Sequence, residues 1–215
     1  IYNWSNGGNS ATAVGLSANI YTANVLDANL CPASFSVTVT EPEQLIASVE
    51  ATIFYNADEN GNPYHISCFG LSDGTAAVTN GGGVEPITYS WSPTPSNSAI
   101  ATGLYAGTNT VTVTDANGCQ KTIENIVLEQ PEILEISSET VTDITCNGSD
   151  DGSIDIAVSG GTGNYTYSWS NNATTQDLTD LSPGTYTVNI TDQNGCLVSK
   201  EYTILEPDAL SISAD

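Results

Sequence analysis

Residues 165–170 read Tyr165-Thr166-Tyr167-Ser168-Trp169-Ser170, with aromatic rings and hydroxyls in strict alternation. Successive side chains of a strand point to opposite faces, so this stretch predicts a strand with its rings toward a core and its hydroxyls toward water. The neighbouring residues extend the pattern. Upstream, Leu134, Ile136 and Val141 mark a first strand, and Gly152-Ser153-Ile154-Asp155-Ile156-Ala157-Val158 sets Ile154, Ile156 and Val158 on one face. Ser159-Gly160-Gly161-Thr162-Gly163 is a turn. Downstream, a short polar strand is expected around residues 174–178, then a Leu181-Ser182-Pro183-Gly184 turn. Tyr186, Val188 and Ile190 alternate in a further strand, an Asp192-Gln193-Asn194-Gly195 turn follows, and Val198, Tyr202 and Ile204 mark the last strand. About seven short strands around a buried Trp predict an immunoglobulin-like β-sandwich. Tyr186, entering the penultimate strand, fits the tyrosine corner of such sandwiches.

The same markers recur. Tyr2-Asn3-Trp4-Ser5, Tyr89-Ser90-Trp91-Ser92 and Tyr167-Ser168-Trp169-Ser170 are each followed by an Asp-x-Asn-x-Cys turn, ending at Cys31, Cys119 and Cys196. Each stretch closes on a Glu/Pro signal, at Glu41-Pro42, Glu129-Gln130-Pro131 and Glu206-Pro207. The two longer copies share an earlier marker, Cys68-Phe69-Gly70-Leu71-Ser72-Asp73-Gly74 and Cys146-Asn147-Gly148-Ser149-Asp150-Asp151-Gly152. Three ordered markers found three times define tandem repeats. The chain divides into the C-terminal half of a repeat at 1–43, complete repeats at 44–131 and 132–207, and the opening of another at 208–215. The second copy carries one extra residue within 92–99, one at Gln130, and an insertion near 54–64. Tyr21 of the first copy matches Tyr186, but Asn109 stands there in the second, so the tyrosine corner is not expected in all copies. Short linkers ended by Pro predict a semi-rigid string.

Composition narrows the function. Twenty-five acidic residues face only Lys121 and Lys200, a formal charge of −23. Almost nothing is present to neutralise phosphates, which excludes a nucleic-acid partner, and no basic patch for anionic lipid exists. No run approaches the ~20 apolar residues of a membrane-spanning helix, so direct membrane insertion is not expected. No signal-peptide pattern opens the chain, but its numbering starts inside a repeat, so both absences describe a fragment.

The cysteines follow the repeat. Each complete copy has one before its second strand and one at the start of its last, which predicts the pairs Cys68 with Cys119 and Cys146 with Cys196. Cys31 corresponds to the later member, with its mate expected upstream of residue 1. Closing a loop of roughly 50 residues stabilises by ~4 kcal/mol in the chain-entropy model, and such bonds imply an oxidising compartment. Zinc competes poorly, given the wide spacing and the single His65.

Each remaining feature has a structural and a functional reading. Trp4, Trp91 and Trp169 could be sugar-stacking platforms, but alternation groups them with Tyr167 and Tyr186 as core. Asp27, Asp115 and Asp192 read as Asx-turn acceptors rather than calcium ligands. Asp150 and Asp151, with Asp73 as their counterpart, are the better calcium candidates, in a Gly-flanked loop that is otherwise simply solvated. Asp143, Asp155, Asp177 and Asp180 are further oxygen donors. No organic cofactor is expected, and no Ser/His/Asp arrangement recurs, so an enzyme is not expected.

These assembled markers resemble the SprB repeat family of gliding Bacteroidetes. The third copy carries the pattern from Cys146 through Trp169, Tyr186 and Asp192-Gln193-Asn194-Gly195-Cys196 to Glu206-Pro207, and the second departs from it at Asn109, at 54–64 and at Gly81-Gly82-Gly83. The resemblance implies a long extracellular cell-surface filament, exported by type IX secretion and moved by motility machinery, that grips a substratum. Partners would be neighbouring repeats of the same chain and a substratum or polysaccharide. Polysaccharide-binding modules, or accessory domains of a large secreted hydrolase, are the alternatives.

Overall fold

The computed structural model describes residues 1–53 and 63–212, and most of the insertion near 54–64 lies outside the described residues. Among the described residues, all fifteen regular elements are β-strands. The described residues form two compact units, the first from Ile1–Ile46, Asn80–Ile87 and Thr114–Gln120, the second from the remainder. The first unit holds a three-stranded antiparallel sheet of β1 (Tyr2–Trp4), β2 (Asn19–Leu26) and β3 (Pro32–Val39).

In the second unit, the last six strands form two sheets. β10 (Glu135–Thr142), β11 (Gly152–Ser159) and β13 (Leu178–Leu181) make one, ordered β10-β11-β13. The other is β12 (Thr166–Trp169), β14 (Gly184–Thr191) and β15 (Leu197–Ile204), ordered β12-β14-β15. Naming these strands A, B, C, E, F and G in chain order gives sheets ABE and CFG, the immunoglobulin-like arrangement without its D strand. Ile154, Ile156, Trp169, Val188 and Ile190 fill the space between the sheets. Each comes from an alternating run, so the period-2 pattern carries directly into the core.

The preceding strands have the same order. β4 (Ile46–Ala51), β5 (Gly74–Gly81) and β7 (Ile100–Leu104) form one sheet, and β6 (Thr88–Ser92), β8 (Gly107–Thr114) and β9 (Gln120–Leu128) the other. β1, β2 and β3 correspond to the second of these sheets.

Several expectations are corrected. Among the described residues each complete copy has six strands where about seven were expected, and the strand expected at 174–178 appears instead as β13. The reason lies in two side chains. Asp177 Oδ1 accepts the Ile156 N–H at 3.0 Å, and Gln176 Nε2 donates to the Ile156 carbonyl at 2.5 Å. Together they satisfy the main chain of β11 where a partner strand would otherwise bond it. The extra residue assigned to Gln130 sits instead inside β9, which is one residue longer than β15 and contains Asn125 at φ 59°, a left-handed bulge conformation.

Trp91 and Trp169 are buried, leaving neither ring face free for sugar stacking. Each indole donates to a carbonyl, Trp91 to Ser98 at 2.9 Å and Trp169 to Thr175 at 2.9 Å. Trp4 makes the same bond to Ser10 at 2.9 Å but is only half-buried, as are Tyr167 and Tyr186 against the core of β10–β15.

The corner device is also wider than expected. Tyr186 donates to Ser182 O at 2.9 Å and Tyr21 to Ser17 O at 3.1 Å, each four residues back. Asn109 Nδ2 reaches the equivalent carbonyl, Tyr105 O, at 3.4 Å and Gly107 O at 3.1 Å. An amide thus replaces the phenol at the same acceptor.

Trp169→Ala should lower unfolding stability by about 3–5 kcal/mol, and Trp169→Phe, which keeps a ring but loses the indole bond, by about 1–2. Urea unfolding followed by circular dichroism measures both; equal losses would contradict this packing.

Candidate functional site

The Asp-x-Asn-x-Cys segments are tight hairpin turns closed by their aspartates. Asp27 Oδ1 accepts the N–H groups of Asn29 and Cys31, both at 2.8 Å. Asp115 Oδ1 accepts those of Asn117 (2.9 Å) and Cys119 (2.8 Å), and Asp192 Oδ1 those of Asn194 (2.9 Å) and Cys196 (2.8 Å). The second carboxylate oxygen ties in the preceding glycine turn: Asp115 Oδ2 accepts from Val84 N at 3.0 Å, and Asp192 Oδ2 from Thr162 N at 2.8 Å. These aspartates are turn acceptors, as the sequence indicated. Partial burial pushes the Asp115 carboxyl up, but the N–H groups of Cys119, Val84 and Asn117 outweigh it and hold the group below the usual carboxylate range.

The fourth turn residue has positive φ in each copy: Gly118 at 82°, Gly195 at 87° and Leu30 at 69°. Only glycine takes this conformation without steric cost. Leu30 is exposed and gains no packing in return.

The glycine turn in front of each hairpin also holds the linker. Gly161 N donates to Glu132 O at 2.9 Å, and a Cβ on Gly160 would lie 1.8 Å from Ile133 O. Gly83 N donates likewise to Glu43 O at 2.8 Å, and a Cβ on Gly82 would lie 2.1 Å from Gln44 O.

The loops bearing Cys68 and Cys146 form the other half of the site. Ser67 N donates to Asp73 Oδ1 at 3.2 Å and the Ser67 hydroxyl donates to Asp73 Oδ2. Thr145 repeats this with Asp151, through its N at 3.1 Å and its hydroxyl at 2.5 Å. Asp150 accepts from the Ser182 hydroxyl at 2.6 Å. The calcium candidates Asp73, Asp150 and Asp151 each accept hydrogen bonds that brace these loops, and among the described residues no three His, Cys, Asp or Glu side chains are grouped together.

The same loops are tied to the chain beyond the last strand. Gly70 N donates to Gln130 Oε1 at 2.9 Å, and Gly148 N to Glu206 Oε2 at 3.1 Å. Leu205 N donates to Asp143 Oδ1 at 2.8 Å, and Glu129 N correspondingly to His65 Nδ1 at 3.1 Å. His65 must be neutral at Nδ1 to accept that bond. Burial lowers its pKa, against the opposing charge of Glu129.

These ties decide the disulfide. Cys68 bonds to Cys196, with Cα atoms 5.7 Å apart, whereas Cys31, Cys119 and Cys146 are free and exposed. The expected pairs 68–119 and 146–196 do not form. Cys196 immediately precedes β15, while the residues around Cys146 are held to Leu205 and Glu206 beyond its end. Eight residues of strand span roughly 25 Å, and a disulfide needs Cα atoms within ~7 Å. β9 separates Cys119 from the Glu129 and Gln130 ties of the Cys68 loop in the same way. The bond thus joins the loop of one repeat to the hairpin of the next. Asn194 Nδ2 adds a bond to Ser67 O at 2.9 Å across this joint. Phe69, Leu71, Ile133 and Leu134 line a groove of about 310 Å³ beside the sulfurs. Sequence reasoning missed Asn194 and Ser67; the invariant Asn of the hairpin motif was the available signal.

Between β10 and β15, Lys200 Nζ pairs with Glu139 Oε2 at 2.6 Å, and the buried Tyr202 donates to the same oxygen at 2.9 Å. The Lys200 bond chiefly, then Tyr202, holds Glu139 below its ordinary range against slight burial. Thr145, through its hydroxyl and then its N–H, likewise holds Asp151 low.

The SprB repeat family model matches the chain at two places, residues 62–95 and 138–174. Both matched stretches are similar to an SprB repeat, and each includes a loop cysteine and a core Trp. No curated protein matches the sequence. Among solved structures, a C-terminal 282-residue fragment of intimin in complex with the translocated intimin receptor's intimin-binding domain is similar at 16% identity. That likeness covers 88% of this chain and 57% of the intimin chain, with a TM-score of 0.32, so this chain spans little more than half of that relative.

Two tests follow from this geometry. Leu30→Gly should stabilise the first unit by about 1 kcal/mol, and Gly195→Leu should destabilise its own hairpin by at least as much; thermal melts of the two variants check the opposite signs. Carboxylates with lowered folded pKa stabilise fully above the unfolded value of ~4, and this stability is lost as pH falls through the folded value. His65, also lowered, stabilises above its unfolded pKa of ~6.5 and loses this as pH falls through its folded value. Melting temperature should therefore decline slightly below pH ~6.5 and steeply below ~4, with His65→Asn removing the first decline and Asp151→Asn reducing the second.

Proposed function

We propose that this chain is a load-bearing adhesive segment of a cell-surface protein, made of SprB repeats coupled in series. The observation that carries this reading is the Cys68–Cys196 bond, which crosses from one repeat to the next instead of closing either repeat on itself. A tensile load on such a string passes through the sulfurs and bypasses residues 69–195, leaving only β4 and β15 of the two sandwiches in its path. The acidic composition, a formal charge of −23, favours separation of neighbouring filaments over a ~8 Å screening length. A non-catalytic role is supported by the repeated aspartates, whose oxygens are engaged in turns and loop braces. By the family resemblance, the segment works in gliding adhesion on a substratum or polysaccharide after export to the outer surface.

Force and attachment test the two halves of this reading. Pulled between its ends, the oxidised chain should yield roughly 450 Å less contour length than the reduced chain, because the 128-residue span stays closed. Equal lengths would remove the load-bearing role. Beads coated with the chain should be retained under flow on glass or polysaccharide films above albumin-coated controls; retention no better than the controls would remove the adhesive role.

A further inference from the structure

The loop cysteine and the Asp-x-Asn-x-Cys hairpin are two halves of one joint, and the chain contains one closed joint alongside unjoined halves. Cys68 and Cys196 form the closed one. The Cys146 loop shares with the Cys68 loop the bonds of its bracing aspartate, its tie to the residue before the closing Pro and its own turn. Thr145 replaces Ser67 on the bracing aspartate, and Glu206 replaces Gln130 on the loop N–H. Ser149 N turns back to Cys146 O at 2.9 Å as Leu71 N does to Cys68 O at 3.1 Å. Yet Cys146 is an exposed thiol, and β15 keeps it from the hairpin of its own repeat.

We infer that Cys146 is the receiving half of the next joint, and that its partner is the hairpin cysteine of a following SprB repeat. This deepens the series reading above. Two independent observations point to that partner. The first is the closed joint, in which the equivalent loop holds a hairpin cysteine of the following copy and Asn194 bonds its Ser67 carbonyl. The second is the residues after Pro207. Pro207-Asp208-Ala209-Leu210-Ser211-Ile212 repeats the pattern of Pro131-Glu132-Ile133-Leu134-Glu135-Ile136. Leu134 is buried and Ile136 packs on its repeat's core, whereas Leu210 and Ile212 are 92% and 89% exposed. This apolar segment follows directly on Glu206 and Pro207, both of which bond the Cys146 loop. At the closed joint, its counterparts Ile133 and Leu134 flank the sulfurs.

The hairpin motif then has a division of labour. Asp closes the turn, Asn docks on the preceding repeat's loop, and Cys forms the bond. Cys119 and Cys31 are exposed hairpin halves of the same kind, suited to loop cysteines of preceding repeats. The bond balances with a disulfide oxidant such as oxidised glutathione. One cysteine thiolate displaces a glutathione thiolate to give a mixed disulfide, and the second cysteine displaces the other. Two protein thiols lose two electrons and two protons, and one disulfide is reduced to two glutathione thiols.

The test extends the full chain after Pro207 with a second copy of residues 132–207, folded in a glutathione redox buffer and mapped by non-reducing peptide analysis. Cys146 is expected to join the added copy's counterpart of Cys196, with Cys68–Cys196 retained. Changing that added cysteine to Ser should leave the circular dichroism spectrum intact and return Cys146 to full alkylation. Changing the added counterpart of Asn194 to Ala should slow bond formation several-fold. Cys146 joined to its own repeat's Cys196 or to Cys119, or alkylated as fully in the extended chain as in the original, overturns the inference. Bead retention does not enter this readout, so failure here and failure of adhesion are seen separately.

Discussion

An antiparallel strand of eight residues holds its two ends roughly 25 Å apart, and a disulfide bridges Cα atoms only within ~7 Å. That mismatch organises this molecule. The loop cysteine of a repeat lies where its last strand ends, and the hairpin cysteine lies where that strand begins. Sulfur can then join sulfur only where the end of one repeat meets the hairpin of the next. The repeat thus leaves its own stability to packing between its two sheets and commits its cysteines to connection.

Packing and turn chemistry carry that burden. Ile154, Ile156, Val188 and Ile190 fill the core between the sheets, and Trp169 donates its indole N–H to a nearby carbonyl rather than burying it unpaired. Aspartate supplies what helix caps or salt bridges supply elsewhere. One carboxylate closes each hairpin, and another braces each cysteine loop through Ser67 or Thr145. This gives the acidic composition a structural use besides solubility: many of these charges serve as acceptors for N–H groups that would otherwise lack partners.

Much of this was legible in the sequence. Alternating runs placed β11, β12, β14 and β15, and the threefold markers placed the hairpins with their Asx turns. What escaped was whatever side chains decide without periodicity. Gln176 and Asp177 replace a strand by bonding Ile156, and Asn125 absorbs an extra residue in a bulge. Asn109 takes over the corner bond of a tyrosine it does not resemble. The cysteine pairing escaped for a different reason. In a tandem array, pairing within a repeat and pairing between neighbours both join one loop cysteine to one hairpin cysteine, so spacing cannot separate them. Only the direction of the last strand does.

Disulfide mapping of the chain as it stands probes this arrangement most directly. After alkylation of free thiols without reduction, the peptide containing Cys68 should be recovered bonded to the one containing Cys196, with Cys31, Cys119 and Cys146 carrying the alkyl label. Recovery of Cys68 with Cys119, or of Cys146 with Cys196, would contradict the account.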